Sequence, residues 1–327
     1  MTGVLKRTSA AIVASIMVLF VVAATTSAQT TTGSGNGFRI SPVRSEYVIE
    51  KGSNRQLVVS VENPTDASVV AQPVVNNFIS NEIENGEPRL ILDDSVPAPK
   101  NNFKSLVEVL PDINLGPREK KDVNVNIRVP ENANSGGYYG AIRFVPASAT
   151  GAGNVGLTAS VGTIVLVRVP GNLTERLDLL ELTAGQNGRA KSFFTSGDVS
   201  VLTRLKNSGD IHVQPFGKVQ VKNMFGAVVA EYELNNVEPR ANILPDSIRK
   251  FDDSLSKPSK GWIGRYTISA NLGYSQGGGE LISSSATFWY LPAWSLIVLA
   301  LLVIGVAAGG YFLYRRLSVP KTKHGKK

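Results

Sequence analysis

The sequence predicts a mainly β protein made of two tandem immunoglobulin-like β-sandwiches plus one C-terminal transmembrane helix. Three observations support this fold class. From Phe38 onward, short alternating or β-branched runs recur between clusters of Pro, Gly, Asn and Asp, which is typical of sandwiches and not of βαβ units. Three sequence elements occur twice, in the same order. Finally, a long stretch without a charged residue lies near the end of the chain.

The start of the chain has the composition of a secretory signal. Two basic residues precede an apolar run, and small residues ending at Ala28 form a cleavage site. We therefore assign residues 1–28 to a signal peptide and residues 29–37 to a flexible lead-in of small polar residues. An uncleaved N-terminal anchor is the alternative interpretation.

Residues 293–314 are predicted to span a membrane. The 21 residues from Trp294 onward carry no charge, and at about 1.5 Å each they extend about 31 Å, close to the hydrocarbon thickness of about 30 Å. A buried core helix is the alternative. The tail, residues 315–327, is basic, so the positive-inside rule places it in the cytoplasm and the N-terminal part outside, as in a single-pass type I protein of the cell membrane.

The same helix contains a GxxxG pattern formed by Gly305 and Gly309. Glycines at this spacing can let two membrane helices approach closely, so a homodimer is one interpretation, although we favour plain anchoring. Small residues are also common in helices that serve only as anchors, and plain anchoring explains the same pattern.

The formal net charge of +8 arises from the two ends of the chain. The signal peptide holds two basic residues and the tail holds six, and neither end has an acidic residue. Between them, Lys and Arg are as numerous as Asp and Glu. The exported part is formally neutral, so the sequence gives no support for a nucleic-acid partner.

The repeated elements divide the exported part into two domains, residues 38–170 and residues 171–290. Each contains a strand that ends in an Asn-x-x-Asp turn and returns as another strand. A Pro-containing strand start and a Gly-x-Tyr strand follow in both. The aligned pairs of segments are 61–73 with 205–215, 115–123 with 244–251, and 137–142 with 263–268.

The stretch NSGGYYGAIRF, residues 134–144, admits two interpretations. A glycine-rich loop beside aromatic residues suggests a ligand cradle, but anion cradles of that kind open onto a helix, and no helical pattern follows. We interpret it as a strand with Tyr138, Gly140, Ile142 and Phe144 on its inner face and Tyr138 as a corner residue whose hydroxyl bonds to the preceding turn. The residues interpreted as a structural fingerprint of the two domains are Pro117, Gly137, Tyr138, Gly140, Asn207, Gly209, Pro245, Gly264 and Tyr266.

The sequence offers little for catalysis. The exported part has no cysteine and a single histidine, His212, and no GxSxG motif accompanies it. Metal sites lack their usual ligands as well. We therefore predict no enzyme, no cofactor and no metal, and we interpret His212 as structural.

Two segments are longer than the loops that a minimal β-sandwich needs. Residues 80–104 form a long polar excursion, and residues 146–156 form a tip of small residues. Long loops on β scaffolds often bind partners, but a solvated insertion without a partner explains them equally well.

The order of these motifs resembles the bacterial WxL-interacting proteins. Residues 105–144 resemble their peptidoglycan-binding domain through an L-x-P strand start, an alternating strand ending in Pro and a Gly-Gly-Tyr element. Residues 205–226, residues 242–251 and the Gly264–Tyr266 element resemble their host-binding domain. The resemblance implies a non-enzymatic surface protein that contacts the cell wall with one domain and host or partner proteins with the other.

Two functional hypotheses follow. The first is a membrane-anchored adhesion or binding protein of the bacterial cell surface, with peptidoglycan, surface proteins or both as partners. The alternative is a scaffold or chaperone-like accessory subunit of a membrane or secretion complex.

Overall fold

The computed structural model describes residues 37–93, 95–147, 160–255, 262–274 and 281–318, all within one compact unit. The chain is mainly β, with several sheets and one C-terminal apolar helix. The predicted signal peptide, nearly all of the lead-in, most of the 146–156 tip and the tail beyond residue 318 lie outside the described residues.

The first sheet pair consists of strands β1–β9. One sheet has the order β1-β3-β7 and the other the order β2-β9-β8-β4-β5, with β6 also paired to β4. Strand β2 runs parallel to β9, whereas the neighbours β3/β7, β4/β8 and β8/β9 are antiparallel. The bounds are β1 Arg39–Ser41, β2 Arg44–Val48, β3 Asn54–Glu62, β4 Val69–Ser80, β5 Pro88–Leu90, β6 Ile113–Leu115, β7 Lys120–Arg128, β8 Gly136–Pro146 and β9 Val161–Val169.

Alternation along the strands builds the core of this pair. In β7, Val125 and Ile127 are fully buried, whereas Asn124 and Arg128 on the opposite face are exposed, as expected for a strand with one face on the core and one in solvent. A short 3₁₀ turn, Phe103–Leu106, adds two buried side chains to the same core.

The stretch predicted as a strand is β8, and its inner face is the one predicted. Tyr138, Ile142 and Phe144 are buried, and a Cβ at Gly140 would lie 1.8 Å from the Phe103 ring. The Tyr138 hydroxyl donates to the Asn134 carbonyl at 3.0 Å. The corner role is therefore confirmed, and the glycine at position 140 makes room for a core aromatic ring.

The second sheet pair consists of strands β10–β18. Its sheets have the orders β11-β10-β13-β16 and β12-β18-β17-β14-β15, and they enclose a separate core rich in aromatic residues. The bounds are β10 Leu177–Gln186, β11 Arg189–Ala190, β12 Phe193–Phe194, β13 Val199–Asn207, β14 Phe216–Asn223, β15 Val228–Leu234, β16 Ile248–Leu255, β17 Gly264–Gly273 and β18 Ile282–Tyr290.

The internal repeat has a physical basis in two buried asparagines. The side-chain amide of Asn63 donates to the carbonyls of Ala67 and Gly116, at 2.7 and 2.8 Å. Asn207 does the same with Ile211 and Ile243, both at 2.8 Å. Each asparagine also accepts a backbone N–H two residues further on. The two sheet pairs therefore use one turn, built from the same side chain, at equivalent places.

The proline elements of the repeat are equivalent as well. The residues after Pro117 and Pro245, namely Arg118 and Asp246, have φ values of 56° and 57°. The backbone N–H of each bonds back to the asparagine turn, to the carbonyl of Thr65 at 3.0 Å and to that of Asn207 at 2.9 Å. Both prolines therefore hold the chain beside the asparagine turn of their own sheet pair.

Helix α1, Ala293–Leu317, extends three residues beyond the predicted end of the span. It is long and apolar enough to cross a membrane, with a mean hydropathy of 2.6 over its most apolar window. Arg315 and Arg316 occupy its last turn. A Cβ at Gly305 or Gly309 would meet nothing within 4 Å, so the predicted homodimer stays a prediction.

The close approach of Gly140 to Phe103 yields a stability test. We expect Gly140→Ala to destabilise the chain by about 1–3 kcal/mol, because the added methyl overpacks a core with no free space. Gly37→Ala is the control, since its Cβ would lie at an ordinary 3.7 Å from Val161.

Denaturant unfolding of the full chain in detergent measures both variants. Adding Phe103→Leu to Gly140→Ala should recover part of the loss, because the smaller side chain gives way. Equal stability of the two glycine variants would contradict the packing argument.

Candidate binding site at the junction of the two sheet pairs

Tyr139 connects the first sheet pair to the second. It points away from its own core, and its hydroxyl oxygen accepts the backbone N–H of His212 at 2.9 Å and lies 3.2 Å from Nδ1 of the same residue. The two rings meet edge to face, with centroids 5.5 Å apart. A Cβ at Gly137 would fall 1.9 Å from this hydroxyl. The glycine therefore leaves the space in which the hydroxyl crosses to the second sheet pair.

The junction keeps both of these groups neutral at ordinary pH. Burial is the largest cause in each case: it lowers the pKa of His212 to about 4 and raises the pKa of the Tyr139 hydroxyl. When the neutral imidazole carries its proton on Nε2, its Nδ1 accepts the Tyr139 hydroxyl hydrogen; in the other tautomer, Nδ1–H donates to the hydroxyl oxygen. His212 is held in a buried contact in either case, which agrees with its structural interpretation.

A second connection is centred on Glu46 of β2. Arg44 donates to this carboxylate at 2.9 Å and to the carbonyl of Arg240 at 2.7 Å. Asn242 and Gln214 of the second sheet pair donate to it at 2.5 and 3.2 Å. Burial acts to raise the pKa of Glu46, but the hydrogen bonds from Arg44 and Asn242 outweigh it and hold the pKa below its usual value.

The excursion between β4 and β5 makes a third connection. Glu84, in this turn, forms a bidentate ion pair with Arg204 at 2.8 and 2.6 Å, and its carbonyl accepts the Lys250 N–H at 2.7 Å. The hydrogen bonds from Arg204 lower the pKa of Glu84. This part of the 80–104 excursion binds the second sheet pair of its own chain, which the sequence did not indicate.

Two clefts lie at the junction. The first, of about 380 Å³, contains His212 in its wall together with Glu46 and Val48 of β2, the Arg168–Glu175 ion pair (2.9 Å), and Phe216 and Tyr274. The second, of about 630 Å³, contains Tyr139 in its wall. The Tyr139–His212 contact therefore stands between the clefts, and both volumes fall in the range of about 300–1,000 Å³ usual for binding pockets.

The first cleft is bordered by the open edge of a sheet. Strand β2 is the outermost strand of its sheet, and its ladder to β9 uses the Val43 carbonyl and the Ile49 N–H. In a parallel pair alternate residues bond to the same neighbour, so the even-numbered residues turn their backbone groups outward. Within the described ranges, no backbone bond outside the ladders satisfies these outward groups, which belong to Arg44, Glu46 and Val48.

The structure separates the nine fingerprint residues into several places. Three of them, Gly137, Gly209 and Pro245, line the second cleft. Tyr138 and Gly140 belong to the first core, whereas Pro117 and Asn207 build the repeated turns. Gly264 and Tyr266 lie at the start of β17, where the Tyr266 hydroxyl accepts the Ile263 N–H at 2.8 Å, a second tyrosine that bonds to the turn before its strand.

Several residues of the junction could not be predicted from the sequence. Glu46, Glu84 and Arg204 are charged residues in segments with ordinary alternation, and their partners lie more than 100 positions away. Tyr139 carried one usable signal: it is an aromatic residue on the outer face of a strand otherwise rich in glycine, which indicates a contact beyond its own sheet.

The chemistry of the junction is that of recognition by hydrogen bonds and charge. In the described part of the chain, no group of three or more His, Cys, Asp or Glu is placed to hold a metal ion. The absence of catalysis stays a prediction, since nothing in the geometry tests it directly.

No protein-family model and no curated protein matches the sequence. The chain is similar in fold to solved structures of fimbrial systems. A structure of the chaperone–tip adhesin complex of CFA/I fimbriae biogenesis is 12% identical, with 78% of this chain and 99% of that chain covered and a TM-score of 0.37. The class 5 fimbriae chaperone CfaA is 10% identical (78% and 99% covered, TM-score 0.35), and the E. coli chaperone DraB is 14% identical (77% and 96% covered, TM-score 0.35).

This comparison corrects the first functional hypothesis. The structures found are of a chaperone–tip adhesin complex, a class 5 fimbriae chaperone and an E. coli chaperone. The interpretation as an adhesion protein that contacts the cell wall is at odds with this finding and is withdrawn. A physical reason accompanies the correction: Tyr138 and Gly140, two of the residues that suggested the first hypothesis, are occupied with a turn and with core packing and present no surface to a ligand.

The depressed pKa of His212 predicts how stability depends on pH. The histidine takes up a proton near pH 6.5 when unfolded but only near pH 4 when folded. Its contribution is therefore complete above about pH 6.5 and is lost as the pH falls towards 4, by up to about 3 kcal/mol.

Urea unfolding of the full chain in detergent between these pH values measures the effect. The variant His212→Gln should lose less stability on acidification than the parent chain. His324→Gln, which changes the only other histidine in the sequence, serves as the control and should follow the parent curve. Parallel curves for all three proteins would show that His212 is not the titrating group.

Proposed function

We propose that this chain is a membrane-anchored, non-enzymatic accessory protein that acts like a chaperone on an extended segment of another protein. The single observation that supports this most directly is the outward edge of β2, which lines a cleft whose walls come from both sheet pairs. An edge strand with free backbone groups recruits an additional strand. Such a site binds its partner through backbone hydrogen bonds and therefore accepts partners of varied sequence.

The surroundings of β2 suit an extended polypeptide. The outward N–H and C=O groups of Glu46 and Val48 would bond to the partner's backbone. Across the cleft, the exposed Phe216 offers aromatic surface, with Arg240 stacked 5.2 Å from its ring, and the buried Tyr274 lies in the same wall. Alternate side chains of the partner would meet apolar surface and charged groups in turn.

The three connections across the junction support this role by limiting movement of the cleft walls. A site that is rigid before its partner arrives loses less conformational entropy on binding. The bidentate pair of Glu84 with Arg204 and the contact of Tyr139 with His212 each join the sheet pairs at a point outside the cleft-lining edge of β2.

The finer organisation belongs to the same proposal. We take residues 38–170 and 171–290 as two immunoglobulin-like domains, each containing one of the two cores. Helix α1 would span the membrane once, with Arg315 and Arg316 on the cytoplasmic side. Membership of the WxL-interacting family stays a prediction, as does pairing of helices through Gly305 and Gly309.

The edge of β2 provides the test of partner binding. Val48→Pro removes an outward N–H and leaves the ladder to β9 intact, since proline is tolerated on an edge strand. Val48→Thr is the matched control, because it changes the side chain and retains the N–H. We expect a stoichiometric protein partner to co-purify in detergent with the parent chain and with Val48→Thr, and to be lost from Val48→Pro.

Thermal unfolding of Val48→Pro checks that the fold survives the substitution. Retention of the partner by a folded Val48→Pro variant would rule out strand addition at β2. A parent chain that leaves its native membrane without any protein partner would rule out the accessory role itself.

A further inference from the structure

The second sheet pair is tied closely to the start of helix α1. Strand β18 ends at Tyr290 and the helix begins at Ala293, so the three Cα steps between them span at most about 11 Å. The connection is also pinned: the Leu291 N–H bonds to the Phe194 carbonyl at 2.8 Å, and the Ala293 N–H bonds to that of Thr195 at 3.3 Å. Whatever surrounds the first turn of α1 therefore also lies beside this end of the sheet pair.

Strand register brings exposed apolar side chains to the same end. Gly264 is paired with Tyr290, and Asn223 with Tyr266, so the β14–β15 turn and the start of β17 lie next to the end of β18. Five large apolar residues are exposed here, by 45 to 87%. We call them the apolar collar: Phe193, Met224, Phe225, Ile263 and Trp289.

The β14–β15 turn is built to hold two of these residues outward. The Asn223 side chain accepts the backbone N–H of Phe225 and of Ala227, both at 3.0 Å, and Gly226 adopts a φ of 83°. Phe225 is 87% exposed at the tip. A Cβ at Gly264 would fall only 2.0 Å from the Met224 methyl. The methionine therefore occupies the space that a side chain at position 264 would need. The turn is thus held against β17 with its phenylalanine in solvent.

Two further collar residues, Phe193 and Trp289, lie in a row across the outer face of the sheet. Phe193 is paired with Trp289, and Trp289 with the exposed Arg265. Aromatic side chains next to basic ones are typical of protein surfaces at the boundary between water and lipid. Trp294, 61% exposed in the first turn of α1, continues the same composition.

We propose that the apolar collar is inserted into the headgroup region of the lipid bilayer and holds the second sheet pair on the membrane surface. The inference rests on the proposed anchoring by α1 and commits to lipid as the occupant. Trp289 lies four residues before the start of α1, at most about 14 Å along the chain. A protein partner that covered this end of the collar would have to occupy the space beside the point where the helix enters the membrane, where lipid is already present. The collar fixes the tilt of the ectodomain, which a single helix alone would leave free.

The chain contains no cysteine, so a single introduced cysteine carries an environment-sensitive fluorophore without background. The full chain is reconstituted into vesicles of phosphatidylcholine and phosphatidylglycerol and labelled at Phe225→Cys. We expect quenching by lipids that carry a shallow quencher, and poor access for aqueous iodide. The matched control is Ser283→Cys, which is exposed on the same sheet but lies six residues along β18 from Trp289, about 20 Å away. A label at this position should be accessible to iodide and should not be quenched by the lipid quencher.

A third label separates this inference from the anchoring itself. Leu301→Cys, in the middle of α1, should be quenched only by lipids that carry a deep quencher. Deep quenching at position 301 together with a Phe225→Cys label that behaves like Ser283→Cys would overturn the collar and leave the anchor intact. Absence of quenching at positions 301 and 225 would overturn both. Protection of the position 225 label from iodide without any lipid quenching would assign the collar to a second copy of the chain and would also overturn lipid insertion.

Discussion

The hydroxyl of Tyr139 imposes the constraint on which the junction depends. A buried hydroxyl is costly unless it is hydrogen-bonded, and its partner here is the backbone and ring of His212 in the other sheet pair. Satisfying it brings the two sheet pairs together at one contact, and the clefts form on either side of it. Glu46 and Glu84 then reinforce the same arrangement with charged hydrogen bonds.

The two sheet pairs solve the same local problem with the same side chain. An asparagine side chain donates two hydrogen bonds through its amide nitrogen and accepts at its oxygen, which matches the free backbone groups of a turn between two strands. Asn63 and Asn207 each use both donor hydrogens and the acceptor oxygen. The internal repeat therefore reflects a shared hydrogen-bonding requirement of the two turns. This requirement is the same in both sheet pairs although the flanking residues differ.

The sequence predicted the parts of the structure that local patterns determine. Alternation in β7 and β8 gave the buried faces correctly, and the corner role of Tyr138 followed from its position after a turn. The apolar helix was predicted nearly to its ends. The junction was not predicted, because an ion pair such as Glu84 with Arg204 joins residues that no periodicity relates. Function followed the same division: motifs that resemble a known family suggested a surface ligand, but two of their residues, Tyr138 and Gly140, serve the packing of the first core.

The pinned connection between β18 and α1 has a mechanical consequence. If the membrane holds the helix and a load pulls on the ectodomain, tension reaches the second sheet pair along the axis of β18. Strand β18 is bonded to β17 on one side and to β12 on the other, and ladder bonds lie across the strand direction. Beyond the two bonds that pin Leu291 and Ala293, the load is shared by the whole β17–β18 ladder as shear. The second sheet pair would therefore resist unfolding at the strand through which α1 would transmit force.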